Sequence, residues 1–287
     1  AVRTVYECKT AAVKKSGSLE CLMQSGESLD DVGGFNLYKN FVELKVATFT
    51  KAARDFGLRR SKGVLLLGAP GTGKSLCAKA TATALRLPLL RADIGALYGS
   101  FVGDSERNTR EMIKMAEAMS PVVLWIDEID KTMGSATAAG LTSDVTQRVI
   151  GTILTWRQES TAPVFVVATA NRLDKLDPAL MRPGRFDAVF WVDLPGKEER
   201  ADIFKIHLRK KLRDKLPWVT PKALVELADR SVGYSGAEIA EAVEEGLLEA
   251  FHRGTADREL AIRDILLALT RSKPLSETAK EELDRMR

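Results

Sequence analysis

Between Gly63 and Asp193, short apolar runs alternate with segments that suit helices. The runs Val64–Leu67, Leu89–Asp93, Val122–Ile126, Val164–Ala170 and Val189–Val192 are of strand length, and the most continuous of them predict strands buried on both faces. Strands alternating with helices predict a parallel sheet covered by helices on both sides. From Lys197 onward the strand signals stop. Ser235-x-x-Glu238 forms a capping box, after which Ile239, Ala242, Val243, Leu247 and Phe251 recur at helical spacing. Thr220 before Pro221 is a second helix start. Residues 1–28 are mixed and polar without clear periodicity, and read as a linker or the remnant of an N-terminal region. The pattern divides the rest into an α/β domain at 29–196 and a helical domain at 197–287, with the boundary near Pro195-Gly196.

Composition narrows the class. The 287 residues suffice for a buried core, and 45% hydrophobic with 29% charged residues is the balance of a soluble globular chain. No run approaches the ~18 apolar residues of a membrane span. A net charge of +4, with both signs mixed, gives weak attraction to polyanions, so nucleic acid is disfavoured as a partner. Cys8, Cys21 and Cys77 lack metal-ligand or redox spacing, which favours a reducing compartment. With His207 and His252 as the only histidines, an H-E-x-x-H zinc site is excluded within this sequence. The first residue is Ala and no signal peptide is visible; the sequence is expected to be cut from a longer chain.

The strongest chemical signal is Gly68-Ala69-Pro70-Gly71-Thr72-Gly73-Lys74-Ser75, set between the strand Val64–Leu67 and the helix-compatible run Leu76–Leu85. Glycines let backbone amides turn inward around phosphate oxygens, and the helix N-terminus adds partial positive charge. Lys74 then reaches the β- and γ-phosphates and the Ser75 hydroxyl can ligate Mg2+. Val122–Ile126 runs straight into Asp127-Glu128-Ile129-Asp130, so a central strand delivers carboxylates at its carboxyl end, where ligands bind in open α/β sheets. Asp127 would hold Mg2+ through its water shell, and Glu128 would orient and polarise an attacking water. Val164–Ala170 ends at Asn171, whose neutral amide either bridges the γ-phosphate and the water or caps the next turn. Arg182 and Arg185 flank the Pro183-Gly184 turn. They suit stabilisation of a transferring phosphoryl group, commonly from a neighbouring subunit; the bland alternative is pairing with acids such as Asp187.

Taken in this order and spacing, Gly68–Ser75, Ile126–Asp130, Asn171 and Arg182-Pro183-Gly184-Arg185-Phe186-Asp187 resemble the classical AAA branch of the AAA+ ATPases. Within it, Leu124–Lys131, Phe165–Asn171 and Lys273-Pro274-Leu275-Ser276 are similar to the single-ring AAA proteins of cyanobacteria and plastids known mainly as a hypothetical plastid reading frame. The resemblance implies a P-loop core with a five-stranded parallel sheet, a small helical lid, ATP and Mg2+ as cofactors, and a homo-oligomer, usually a hexamer. It assigns Asp31 and Gly33 to the segment whose backbone contacts adenine. Ile203 and His207 become lid residues flanking base and ribose, and Gly236 and Ala237 the lid turn that carries no arginine. Gly68, Pro70, Gly71, Thr72, Gly73, Lys74, Ser75 and Leu76 become the phosphate loop. Ser75 and Asp127 fall to the metal, and Glu128, Asn171, Arg182 and Arg185 to catalysis. Ala188 stands where many relatives carry a basic residue, which puts a structural ion pair in doubt, and Met133–Leu141 lacks the charge of a second pore loop.

Tyr98-Gly99-Ser100-Phe101-Val102-Gly103 places an aromatic beside a glycine just before a helix start, an awkward position for a core residue. Phe101, Val102 and Gly103 match the family's aromatic pore loop; the alternative is packing of Phe101 beneath the lid or a helix. The expected function is Mg2+-dependent ATP hydrolysis by a ring that remodels, unfolds or disassembles a protein substrate. The alternative is an ATP-dependent assembly switch without threading. The expected location is the cytoplasm, or the stroma for a plastid protein, with no membrane association.

Overall fold

The computed structural model describes residues 19–22, 26–97, 104–130, 141–173, 176–212, 219–253 and 260–286, and these fall into two compact units. The first comprises residues up to Leu29, Leu37–Gly68 and Lys74–Trp191; the second comprises Asp30–Asn36, Ala69–Gly73 and Val192 onward. Among the described residues no helix is long and apolar enough to cross a membrane.

The first unit is built on strands β1 (Leu19–Leu22), β2 (Gly63–Gly68), β3 (Leu89–Ala92), β4 (Val122–Ile126), β5 (Val164–Ala170) and β6 (Ala188–Val192), in the spatial order β1-β3-β4-β5-β2-β6. The pairs β3–β4, β4–β5 and β5–β2 are parallel, with Leu124 opposite Leu90 and Val166, and Leu65 opposite Ala168. Every residue of β2, β4 and β5 is buried, as their unbroken apolar runs require. The five expected strands are present, joined by a sixth that the sequence pattern did not predict. Leu19–Leu22 lies in the stretch read as linker, yet it pairs antiparallel with β3, Leu19 opposite Ala92 and Leu22 opposite Leu89.

Helices α1 (Asn36–Val46), α2 (Lys51–Asp55), α3 (Lys74–Leu85), α4 (Ile94–Leu97), α5 (Asp104–Met119) and α6 (Leu141–Glu159) complete this unit. On α5 the buried positions Ser105, Thr109, Met112, Ile113, Ala116 and Met119 follow helical periodicity. They share a core with Leu65, Leu124 and Val166 of the sheet and Ile150, Ile153 and Leu154 of α6. Helix α3 packs on β4 and β5. The buried Tyr38 of α1 hydrogen bonds Thr81 of α3 at 2.5 Å and meets Phe190 of β6 edge-on, with ring centroids 5.3 Å apart. Burial raises the Tyr38 phenol well above its ordinary range, so it stays protonated.

The second unit contains α7 (Lys197–Leu212), α8 (Pro221–Arg230), α9 (Gly236–His252), α10 (Ile262–Arg271), α11 (Leu275–Thr278) and α12 (Lys280–Met286). The expected caps form. Thr220 accepts from Ala223 N, Pro221 occupies the first turn, and Ser235 and Glu238 cap each other reciprocally, each device contributing about 1 kcal/mol. Ile239, Ala242 and Val243 of α9 join Phe204 and Leu208 of α7, Leu227 of α8 and Ile265 of α10 in one core. Phe251 lies in this helix at the expected spacing. It is 57% exposed, because the inward face has rotated past it by the last turn of a 17-residue helix. The basic residues Lys205, Arg209, Lys210 and Lys211 of α7 lie on its solvated side, where Lys210 pairs with Asp31 at 2.9 Å and Lys211 with Glu244.

Candidate functional site

In the first unit, strand alternation and parallel register deliver the chemistry to the carboxyl ends of β2, β4 and β5. Lys74 opens α3 and is buried, its Nζ donating to Gly68 O at 2.8 Å. Burial pulls its ammonium down to about 8, against the opposing pull of Asp130, Glu128 and Asp127, so it still carries its charge at neutral pH. Just past β4, Asp127 accepts hydrogen bonds from Thr169 Oγ1 (2.8 Å) and from an Arg91 guanidinium nitrogen (2.9 Å). Glu128 sits at φ 50°, left-handed backbone that costs a branched-off side chain about 1–3 kcal/mol. Its amide donates to Thr169 Oγ1 at 3.0 Å, and its carboxylate accepts from Asn171 Nδ2 at 3.2 Å. The sequence-predicted pair Glu128 and Asn171 is thus brought into contact, as are Asp127 and the strand that carries Asn171.

No motif marks Thr169, yet it is the one hydroxyl in Val164–Ala170, and a buried hydroxyl demands a partner. The sequence alone assigns no role to Asp130. It is buried, with Oδ2 accepting from Arg172 N at 2.9 Å and Oδ1 without a partner among the described residues.

The arginine turn is tied to the start of β2. Asp187 Oδ2 accepts from the amides of Lys62 (2.6 Å) and Gly63 (3.0 Å), Asp187 N donates to Gly63 O, and Lys62 Nζ donates to Gly184 O at 2.8 Å. Backbone amides therefore occupy the carboxylate that the bland reading offered to Arg182 and Arg185. Arg182 is exposed, and one Arg185 guanidinium nitrogen is buried without a partner among the described residues. The buried Arg157 donates to the carbonyls of Lys62 and Val164 beneath this turn, and burial lowers its guanidinium to about 10.

In the second unit, the phosphate-loop segment Ala69–Gly73 meets the turn before α9. Gly71 O accepts from Ala237 N at 3.0 Å, and Gly71 has φ 73°, a conformation that glycine adopts without strain. Thr72 Oγ1 closes the loop on Ala69 O at 2.8 Å. Gly33 lies so close to Ile203 of α7 that a Cβ on it would stand 2.4 Å from the isoleucine side chain. Gly236 approaches both Gly71 O and Ile203. This unit therefore gathers Gly33, Gly71, Ile203, Gly236 and Ala237. His207, one turn after Ile203, is half-buried, and burial together with Lys210 and Lys211 pushes its imidazole below the usual range, toward the neutral form. Asp31 is engaged by Lys210. Pro70, Ser75 and Leu76 complete the loop and the first turn of α3, with Ser75 exposed. Phe101, Val102 and Gly103, and most of Met133–Leu141, lie outside the described residues.

The donor set fits a nucleotide triphosphate and a hard cation. The oxygen donors are a hydroxyl and a carboxylate, as Mg2+ prefers, and a buried lysine and turned glycine backbone suit phosphates. No group of three or more His, Cys, Asp or Glu among the described residues could hold a metal alone, so phosphate oxygens and water would supply most of its shell.

Residues 64–194 match the family described as ATPase family associated with various cellular activities (AAA). The chain is 45% identical over 260 residues to the AAA domain-containing protein ycf46 of Guillardia theta, covering 90% of this chain and 50% of that protein. It is 37% identical to a cell division cycle protein 48 homolog of Archaeoglobus fulgidus, covering 73% of this chain and 28% of that protein. It is 36% identical to the ATP-dependent zinc metalloprotease FtsH of Marinobacter nauticus, covering 79% and 36%. The chain spans about half the length of the ycf46 relatives it matches. A phosphate loop, a strand-end acid pair and an asparagine just past the neighbouring strand, within the stretch that the family model matches, place residues 64–194 in the AAA family of ATPases and the chain near the ycf46-type proteins.

Proposed function

We propose that this chain hydrolyses ATP with Mg2+ and couples the reaction to remodelling or threading of a protein substrate in a ring, expected to be a hexamer. The observation that carries the hydrolytic reading is Glu128, held in left-handed backbone with its carboxylate against Asn171, one residue after Asp127. Strained backbone of this kind persists where the surroundings over-determine it, commonly at reactive groups.

Lys74, charged at neutral pH, would draw charge off the β- and γ-phosphates, while amides of Gly71, Thr72 and Gly73 cradle them. The Ser75 hydroxyl and, through water, the Asp127 carboxylate would hold Mg2+, which when bound would supply charge neutralisation at the phosphates. Glu128 would orient the attacking water and take its proton at the carboxylate, with Asn171 fixing the carboxylate's direction. Gly33, Ile203, Gly236 and Ala237 would frame the base and ribose, and the half-buried His207 would flank them as a neutral ring. Arg182 and Arg185, on a turn anchored by Asp187, would stabilise the transferring phosphoryl group of a neighbouring subunit. Phe101, Val102 and Gly103 would grip the substrate chain. The similarity to a Cdc48 homolog and to FtsH supports a protein substrate over nucleic acid, as does the modest net charge of +4.

Two substitutions test the reading. Glu128→Gln is expected to bind labelled ATP normally while losing turnover by about 100-fold or more; turnover that survives would overturn the assignment. Phe101→Ala is expected to hydrolyse ATP at a near-normal rate and to lose substrate-stimulated work, measured as unfolding of a tagged reporter protein. Lost hydrolysis with a lowered melting temperature would instead mark Phe101 as a packing residue.

A further inference from the structure

A row of side chains crosses three strands beside the acid pair. Glu20 of β1 stands opposite Arg91 of β3, and Arg91 stands opposite Trp125 of β4. Asp127 follows Trp125 by two residues, which along a strand returns a side chain to the same face. The contacts agree with that register. Arg91 donates to Asp127 Oδ2 at 2.9 Å, its guanidinium lies 4.9 Å from the centre of the Trp125 ring, and another of its nitrogens lies 3.9 Å from the Glu20 carboxylate. Asp127 Oδ1 is taken by Thr169 Oγ1.

From this we infer that Arg91 is a positioning residue for the metal carboxylate: a protein-borne cation that competes with Mg2+ for Asp127, with β1 setting how strongly. The inference rests on the reading of Asp127 as the Mg2+-side acid. A guanidinium at hydrogen-bond distance neutralises part of the carboxylate charge and engages one of its two oxygens, and both effects weaken what Asp127 can offer a divalent ion or its water shell. The planar guanidinium suits this task because it can stack on Trp125 and fork toward two carboxylates at once. Glu20 holds the opposite side of the same cation, so any shift of β1 away from β3 leaves Arg91 more fully to Asp127. The partly exposed setting of Arg91 and Glu20 keeps the effect moderate.

The test is the Mg2+ concentration that half-saturates labelled-ATP binding, measured in the Glu128→Gln background where no turnover intervenes. It is paired with paramagnetic resonance titration of Mn2+ with ADP on the otherwise unsubstituted protein. Arg91→Met is expected to lower the required Mg2+ by about three- to fivefold and to tighten Mn2+ in parallel. Arg91→Lys keeps the charge and should stay nearer the parent. Glu20→Gln should raise the requirement by about twofold, an effect that vanishes when combined with Arg91→Met. Unchanged or raised Mg2+ dependence in a folded Arg91→Met protein would overturn the inference while leaving the nucleotide site intact. Absence of Mg2+-dependent nucleotide binding in the parent would instead overturn the reading of the site itself. Should Arg91→Met fail to fold, Glu20→Gln on the exposed edge decides the matter by its sign: no change or a lowered requirement overturns the inference.

Discussion

Thr169 performs three tasks from one buried position: its hydroxyl donates to Asp127, accepts from the Glu128 amide, and its carbonyl accepts from Ile129 N. Thr169→Val keeps the shape but leaves the Glu128 amide and one Asp127 oxygen without their partner, so the left-handed turn loses its brace. Turnover should fall by about 10–100-fold with ATP affinity within about threefold of the parent. Steady-state kinetics and an equilibrium titration would separate the two, and an equal loss in affinity would show that the hydroxyl acts on binding alone. The candidate site residues legible in the sequence were those whose chemistry sits at fixed spacing along the chain, such as Lys74 after the glycine loop or Glu128 after a strand. Thr169 and Arg91 were not, since their contacts come from register between strands far apart in sequence.

Among the elements, β2 is the one most tightly specified. Gly63, at φ 143°, lies against β5 so closely that a Cβ would stand 1.9 Å from Val166 O. Gly63→Ala must therefore part the β2–β5 pair or twist the strand end, and a loss of more than about 3 kcal/mol is expected in denaturant unfolding. A loss below about 1 kcal/mol would mean that the strand end adjusts freely. The same contrast explains what was legible among the elements. Long apolar runs such as Val164–Ala170 fix a buried strand without knowledge of the partner, whereas β1 is four residues long, interrupted by Glu20 and at an edge, so only its pairing with β3 defines it. Capping residues worked equally well, because Ser235 and Glu238 satisfy each other within a single turn. Phe251 shows that helical spacing marks a helix without marking where its core face ends.

At the scale of the whole molecule, each unit closes its own apolar core, one around β2, β4 and β5 and one around α7–α10. That the strand signals stop near Pro195 was legible in the sequence. The attachment of Asp30–Asn36 and Ala69–Gly73 to the second unit was not, since it depends on contacts such as Gly33 with Ile203. If Arg182 and Arg185 serve a neighbour, two inactive proteins should rescue one another. An equal mixture of Glu128→Gln with a variant carrying Arg182→Ala and Arg185→Ala should regain about a quarter of parental turnover if subunits mix at random. A phosphate-release assay that shows no rescue after confirmed subunit exchange would assign the arginines to the subunit that carries them. The anchoring of their turn has a last implication. One end of β2 feeds the loop that would clasp a subunit's own nucleotide; the other end, about 20 Å away, bears the amides that grip Asp187. A fully buried strand bends little, so in a ring a push on the arginine turn would travel along β2 to its Gly68 end nearly undiminished.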